Sequence, residues 1–436
     1  MAADDTMRHA GNSTQRRPIL VVMVLALASA MANAGASLLS ACLPLIKTEF
    51  GFSDTQLGLL TGYASAATIA ALAFPITAWA ARWGNARVFG ACMSIYGAAL
   101  AVFAACGAFW QFVVAQLASG FGPAAEMPLG QAIVSDHYPP ERRSGALALY
   151  TAGYFVGITG GLTAGGYLAA HWGWRPAFVV FGLVAVAIAV LQVRVAPDRA
   201  TSNSAVVPSP AGSGQLAAFL DLVRNRTYLH ITLGFAWASF ATFGLTQWMP
   251  SFYNRQFELA PEHAAAFFGG AYLAGSLLGL LAGGVIGNRL GSARSDRLLA
   301  FCMISYALTF PLIASVLFAP NLQVAFVAHV AATFMGAMPN GPVFAMISNT
   351  LPREQRVLGV SVVLLSLTLF GAGGGPLLVG MFSDALAAEF GQASLRWAML
   401  GVKLLGLVFF LHLGYAWVRA RRTSQDVDRA IQGARS

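Results

Sequence analysis

Glu126 stands in the run Phe121-Gly122-Pro123-Ala124-Ala125-Glu126-Met127-Pro128, the one acid set deep in a long apolar stretch. A charged side chain at the centre of a membrane-spanning helix costs about 2.5–3.5 kcal/mol, so it must face a cavity or a partner rather than lipid. There it can take up a proton or meet a cationic group of a substrate; the plainer reading is a buried carboxyl kept protonated or paired with a histidine. Pro123 and Pro128, with Gly120, Gly122 and Gly130 around them, should break the hydrogen-bond ladder and leave backbone carbonyls for a ligand or water. His329 can titrate near neutral pH and shares a helical face with Thr333 and Asn340; the alternative is a helix-to-helix hydrogen bond. Other polar residues recur at helical spacing: Asn33, Ser37 and Ser40; Ser119 before Glu126; Ser239, Thr242 and Thr246. Small hydroxyl residues also let helices pack closely, so close packing competes with ligand binding for these stripes. Tyr154 and Trp237 could stack on a ring or acyl chain, with ordinary aromatic packing as the alternative. Lys403 is placed to snorkel toward a membrane surface or pair locally, and less simply to bind an anion.

Enzyme chemistry has no foothold. The chain lacks a phosphate-binding glycine-lysine loop, histidines at metal spacing and a serine elbow. Gly371-Ala372-Gly373-Gly374-Gly375 follows no strand and is no dinucleotide fingerprint. No cofactor and no metal are expected, and work against a gradient must draw on an ion or solute gradient. Cys42, Cys92, Cys106 and Cys302 lie in apolar stretches as packing residues. The net charge of +9 is spread singly or in pairs between apolar runs, which speaks against nucleic acid and for membrane topology.

The elements that hold these residues follow from apolarity. Of 436 residues 57% are hydrophobic and 10% charged, too little charge for a water-facing surface. Uncharged runs of about 20 residues, each enough to span a bilayer, predict helices near 18–46, 56–80, 88–108, 110–134, 144–169 and 174–195. A second set is predicted near 227–250, 263–287, 298–318, 321–348, 358–384 and 396–419. The divisions are an N-terminal tail 1–17, a bundle 18–195, a linker 196–226 containing Ser-Ala-Val-Val-Pro-Ser-Pro-Ala-Gly-Ser-Gly, a bundle 227–419 and a tail 420–436. Arg16-Arg17 and the run ending Met31-Ala32-Asn33-Ala34 resemble a secretory signal, but removal would leave an odd number of spans; retention as a first helix is expected. With the N-terminus cytoplasmic, 21 of the 26 basic residues fall on inside segments and 4 outside, Lys47, Arg175, Arg255 and Arg396, with Lys403 inside a span. That bias fits the positive-inside rule with both termini cytoplasmic.

The halves repeat in the same order. Ala81-Arg82-Trp83-Gly84-Asn85-Ala86-Arg87 matches Asn288-Arg289-Leu290-Gly291-Ser292-Ala293-Arg294, and Gly122, Glu126 and Pro128 match Gly336, Asn340 and Pro342. Pro139-Pro140-Glu141-Arg142-Arg143 likewise matches Pro352-Arg353-Glu354-Gln355-Arg356. Such a parallel duplication predicts two six-helix bundles related by an axis along the membrane normal, with substrate bound between them near the midplane.

Through Glu49-Phe50-Gly51-Phe52-Ser53-Asp54-Thr55-Gln56-Leu57-Gly58, Ser135-Asp136-His137-Tyr138-Pro139-Pro140, Gly173-Trp174-Arg175-Pro176 and Gly375-Pro376-Leu377-Leu378, the chain resembles the major facilitator superfamily and, within it, the bacterial spinster-like transporters. The resemblance implies an all-α fold of twelve transmembrane helices, with the first, fourth, seventh and tenth lining a cavity. It makes Arg82, Arg87, Arg289, Arg294 and Arg142 cytoplasmic gate residues; simple orientation by positive charge is the plainer use. Three departures stand out: Ala81 and Asn288 replace the loop aspartate, Gly35 to Ser37 occupy the place of a first-span acid and arginine, and Gln116 and Pro123 fall where the fourth span has an arginine and a glutamate. Coupling is therefore not simply inherited.

The expected protein is a monomeric secondary transporter that moves a small amphipathic organic molecule or organic anion by alternating access, with protons as the first-guess coupling ion. The candidate site comprises Glu126, Asn340, His329, Asn33, Ser37, Tyr154, Trp237 and Thr242. Alternatives are an exporter of lipid-like or drug-like compounds and a non-transporting sensor on the same fold. Its partners are a small-molecule substrate and the bilayer.

Overall fold

The computed structural model describes residues 2–73, 75–198, 220–291, 294–352 and 355–433, and every regular element among them is helical. Among the described residues nine helices are long and apolar enough to cross a membrane, and a pair bent by 50°, Asp54–Leu72 with Pro75–Trp83, makes a tenth. Pro75, which lacks an N–H, opens the second member of that pair. The remaining two of the expected twelve are hidden by a break and a fusion. The fourth span divides at Gly120 into Phe109–Ser119 and Phe121–His137, each too short to count alone. The eleventh and twelfth run on as one helical stretch, Leu358–Arg422.

The chain separates into two compact units, Met1–Gly51 with Ala64–Val207, and Phe52–Tyr63 with Pro208–Ser436. In the first unit, Ala2–Phe50 and Pro140–Trp172 meet through small residues. A Cβ on Gly153, Gly157 or Gly161 would run into the carbonyls of Ala26, Ala30 and Ala34 respectively, a constant register that makes the two helices run parallel with backbones touching. Asn85–Phe103 sends Tyr96 into the first helix: its hydroxyl donates to the Met31 carbonyl at 2.7 Å and accepts from the Gly35 amide at 2.8 Å. A regular helix would join that carbonyl and amide to each other, so the phenol is inserted in the ladder at that turn.

The first unit is closed at one end by aromatic rings, with Phe103 and Phe178 stacked at 4.5 Å and Phe112 edge-on to Phe103 at 4.9 Å. Glu49 ties this cluster together, accepting from Trp174 Nε1 at 2.6 Å and pairing with Arg175 Nη1 at 2.6 Å, while the guanidinium lies over the indole. At its other end Asp198, just past Trp174–Val195, accepts from the Ala86 amide at 2.7 Å and approaches Arg87 Nε at 4.0 Å.

The second unit repeats the small-residue device. Gly275, Gly279 and Gly283 of Pro261–Leu290 abut the carbonyls of Val330, Phe334 and Met338, again at constant register and so in parallel. Its core gathers Phe235, Leu298, Cys302, Val343, Met346, Val363 and Phe409. The segment 52–63 lies antiparallel along residues 373–380: Gly58 faces the Pro376 carbonyl, Gly62 the Gly373 carbonyl, and Gly380 the Asp54 carbonyl. Both partners carry π-helical turns there, Leu60–Ala64 and Leu367–Gly374. Such turns put backbone groups out of the α ladder and often mark moving or binding parts.

Candidate functional site

In the first unit the side chains that count converge on Glu126. The Pro123 and Pro128 rings flank it, and Pro128 lies inside the helix Phe121–His137. The carboxyl is buried, at 5% exposure, and accepts a 2.5 Å hydrogen bond from Ser29 Oγ of the first helix. Tyr150, from the fifth span, donates its hydroxyl to the Glu126 backbone carbonyl at 2.7 Å. Among the described residues no cation forms a salt bridge with Glu126. A carboxylate buried with hydroxyl partners alone carries an uncompensated charge, whereas a carboxylic acid there satisfies the same Ser29 oxygen. Asn33 and Ser37 continue from Ser29 along one face of the first helix, bonding back to the carbonyls of Ser29 at 2.9 Å and Asn33 at 3.3 Å. Tyr154 lies half-buried one turn beyond Tyr150, edge-on to Phe155. Sequence reasoning does not single out Ser29, Tyr150 or Tyr96; the spacing of Ser29 with Asn33 and Ser37 is the available signal.

The second unit distributes its candidates. His329 is buried and pairs through Nδ1 with the Tyr253 hydroxyl at 2.7 Å, beside the Phe268 ring. Asn340 does not join it. The shared face assumes an unbroken helix, but Leu322–Ala337 ends before Met338 and Pro339, and Asn340 begins the next helix, exposed. Trp237 is half-buried in an aromatic trio, edge-on to Phe370 at 4.8 Å and Phe240 at 5.5 Å, with Phe240 and Phe370 stacked. Thr242 is exposed and bonds the Ala238 carbonyl of its own helix at 2.8 Å. Lys403 is turned inward rather than outward: it is 6% exposed, donates to Thr309 Oγ1 at 2.9 Å and sits 4.6 Å from the Phe310 ring centre.

A polar cluster that sequence reasoning passes over holds the start of the second span. Ser53 and Gln56 form a capping box at the N-terminus of Asp54–Leu59. Asp384 then takes up the first free amides, accepting from Asp54 N at 2.9 Å, Thr55 N at 2.7 Å and Thr55 Oγ1 at 2.6 Å. Asp54 itself is buried and gripped by Arg255 in a two-point contact at 2.7 and 2.8 Å, while Ser383 donates to it at 2.6 Å and bonds Ser394 at 3.2 Å. Bidentate charge-assisted contacts are the strong, geometrically demanding kind. In the sequence Asp54 reads as part of a motif and Arg255 as a loop charge; residues 201 apart give no spacing signal.

The expected gate arginines occupy different surroundings. Arg87 lies by Asp198, and Arg294 pairs at 3.2 Å with Asp296 in the first turn of Ser295–Leu317. Arg82, Arg142 and Arg289 are exposed. Among the described residues no cluster of three histidine, cysteine or acidic side chains could hold a metal ion.

The chain matches the family model of the Major Facilitator Superfamily over residues 25–362. An "MFS-type efflux pump" of Mycolicibacterium smegmatis is 29% identical over 98% of both chains. The "Cis,cis-muconate transport protein" of Acinetobacter baylyi is 26% identical over 63% of this chain and 67% of its own. Among solved structures, a bacterial homologue of the human lysosomal transporter spinster, inward-facing and unoccupied, superposes with a TM-score of 0.80 at 20% identity, covering 93% of this chain and 97% of the other.

Proposed function

Because the chain belongs to the major facilitator superfamily, and is thus a membrane transporter and not an enzyme, we propose that it is a secondary carrier for small amphipathic organic molecules or organic anions, coupled to protons through Glu126. The observation that carries the reading is the buried Glu126 carboxyl, bonded to Ser29 and backed by Tyr150 with no cationic partner among the described residues. A group so placed changes charge when it changes protonation. The helices that carry Glu126, Ser29 and Tyr150 then have a reason to rearrange with proton load. Alternating access, a site near the bilayer midplane, a monomeric state and cytoplasmic termini in a bacterial inner membrane complete the proposal, supported by family membership and the arginine distribution. The Asp54–Arg255 cluster acts in this reading as a latch that holds segment 52–63 in one state and releases it in the other.

Two relatives favour different cargoes. The muconate transport protein supports a carboxylate cargo, and the efflux pump, similar over nearly the whole length, supports export as the second reading. Purified protein in proteoliposomes separates them when panels of carboxylates and of amphipathic amines are offered with and without a pH gradient. Glu126→Gln, a neutral isostere, should abolish pH-driven accumulation while leaving counterflow exchange in place. Undiminished accumulation would remove Glu126 from coupling, and specific binding without any counterflow would turn the reading toward a sensor.

A further inference from the structure

Outside the transport site, a compact cationic cluster sits where Arg226–Phe257 begins and Phe409–Gly433 leaves the apolar zone. His230 and His412 face each other with their Nδ1 atoms 3.1 Å apart, and the Tyr415 ring lies 4.1 Å from the His230 ring, tilted by 30°. Arg226 stands one turn before His230 and Arg419 one turn after Tyr415, and both side chains are exposed. Arg421 lies over the Trp417 ring at 5.2 Å. The nearest acid before the cluster, Asp221, is engaged by Arg224.

We propose that this cluster is a headgroup site for an anionic phospholipid, its phosphodiester held by Arg226, Tyr415 and Arg419 around the His230–His412 pair. Three observations converge on a lipid. Two exposed arginines, each one turn from the paired His230 and Tyr415 rings, bring planar guanidiniums to this end of the two helices, which suits the several oxygens of a phosphate. Leu411 and Val418 are exposed at 74% and 42% on the same helix face as Tyr415, at intervals of four and three residues, giving an apolar strip beside the polar site. From Leu411 to Arg419 the helix climbs roughly 12 Å at 1.5 Å per residue, so Leu411 lies at acyl-chain depth beneath the phosphate, with Val418 beside the headgroup. A free phosphate would use the upper half of this arrangement and leave the strip idle. Arginine-rich sites between helices at the positively charged membrane face are suited to such headgroups.

The test uses the full chain in detergent micelles, with phosphatidylglycerol or phosphatidylcholine added and bound lipid counted by native mass spectrometry. Wild type should retain phosphatidylglycerol in preference to phosphatidylcholine, and Arg226→Gln with Arg419→Gln should lower that retention about thirtyfold, the effect of two arginines near an anionic headgroup. A charge-matched control, Arg194→Gln with Arg297→Gln, should stay within roughly twofold of wild type because both residues are exposed elsewhere. If the double variant does not fold, Tyr415→Phe reads the same contact through a loss of roughly fivefold. Equal retention of the two lipids, or equal losses in the test and control pairs, would overturn the site. Displacement of bound lipid by glycerol 3-phosphate or inorganic phosphate at equal concentration would also overturn it, making the ligand a soluble anion.

Discussion

Replacing Asp54 by asparagine keeps the side chain's shape and removes the charge that Arg255 grips. The Asp54 side chain is 3% exposed and that of Arg255 19%. Breaking a buried pair by losing one partner costs about 3–5 kcal/mol, because the other charge is stranded. Arg255 retains some access to solvent and the introduced amide would keep an oxygen for Ser383, which moves the expectation below that range, to about 2–3 kcal/mol. At 1.4 kcal/mol per factor of ten, the bound form of segment 52–63 loses roughly 30- to 150-fold in population relative to the released form. Asp384 still caps the backbone amides of positions 54 and 55 and limits the loss. Hydrogen exchange of the amides in 54–63, followed by mass spectrometry on purified Asp54→Asn, should show protection falling by that factor. The cycle with Arg255→Gln should be strongly non-additive, since the second substitution removes a contact already lost. Unchanged protection, or additive effects of the two substitutions, would refute the latch.

Three further outcomes follow from the geometry. Tyr96→Phe removes the hydroxyl that serves both the Met31 carbonyl and the Gly35 amide, and should destabilise the first unit by about 1–3 kcal/mol in chemical denaturation unless the helix closes its own ladder. Gly62→Leu cannot be seated against the Gly373 carbonyl, so it should favour the released form of segment 52–63 and raise exchange there, as Asp54→Asn does. Lys403→Met replaces a buried ammonium held by one hydroxyl and a ring with an apolar side chain of similar length; thermal unfolding should shift upward, corresponding to about 1–2 kcal/mol, and a fall would mean that the ammonium has a partner worth keeping.

Apolar run length and proline breaks make the all-helical architecture legible, since each span must bury about 20 residues and the loops carry the arginines. Glu126 is legible for the same reason: a charge in such a run stands out, and its neighbourhood of proline and glycine marks an irregular helix. What escapes is long-range pairing. Asp54 with Arg255, Asp384 with Thr55, and Tyr96 with Gly35 join residues on different helices, and helical periodicity assigns a face without naming what lies opposite. His329 and Asn340 show the converse failure, where correct spacing misleads because Met338 and Pro339 end the helix between them. Likewise Lys403 cannot be told from a snorkelling lysine until Thr309 and Phe310 are placed beside it.

The contact of Gly153, Gly157 and Gly161 with Ala26, Ala30 and Ala34 carries a mechanical corollary. Sliding one helix along the other by a single residue would drive methyl groups into the facing carbonyls, so the pair resists shear as a toothed rack does and can turn only as one beam. Ser29 and Tyr150 ride on the two members of that beam. In the proposed coupling, a displacement of either helix at Glu126 is therefore shared by the other across this contact.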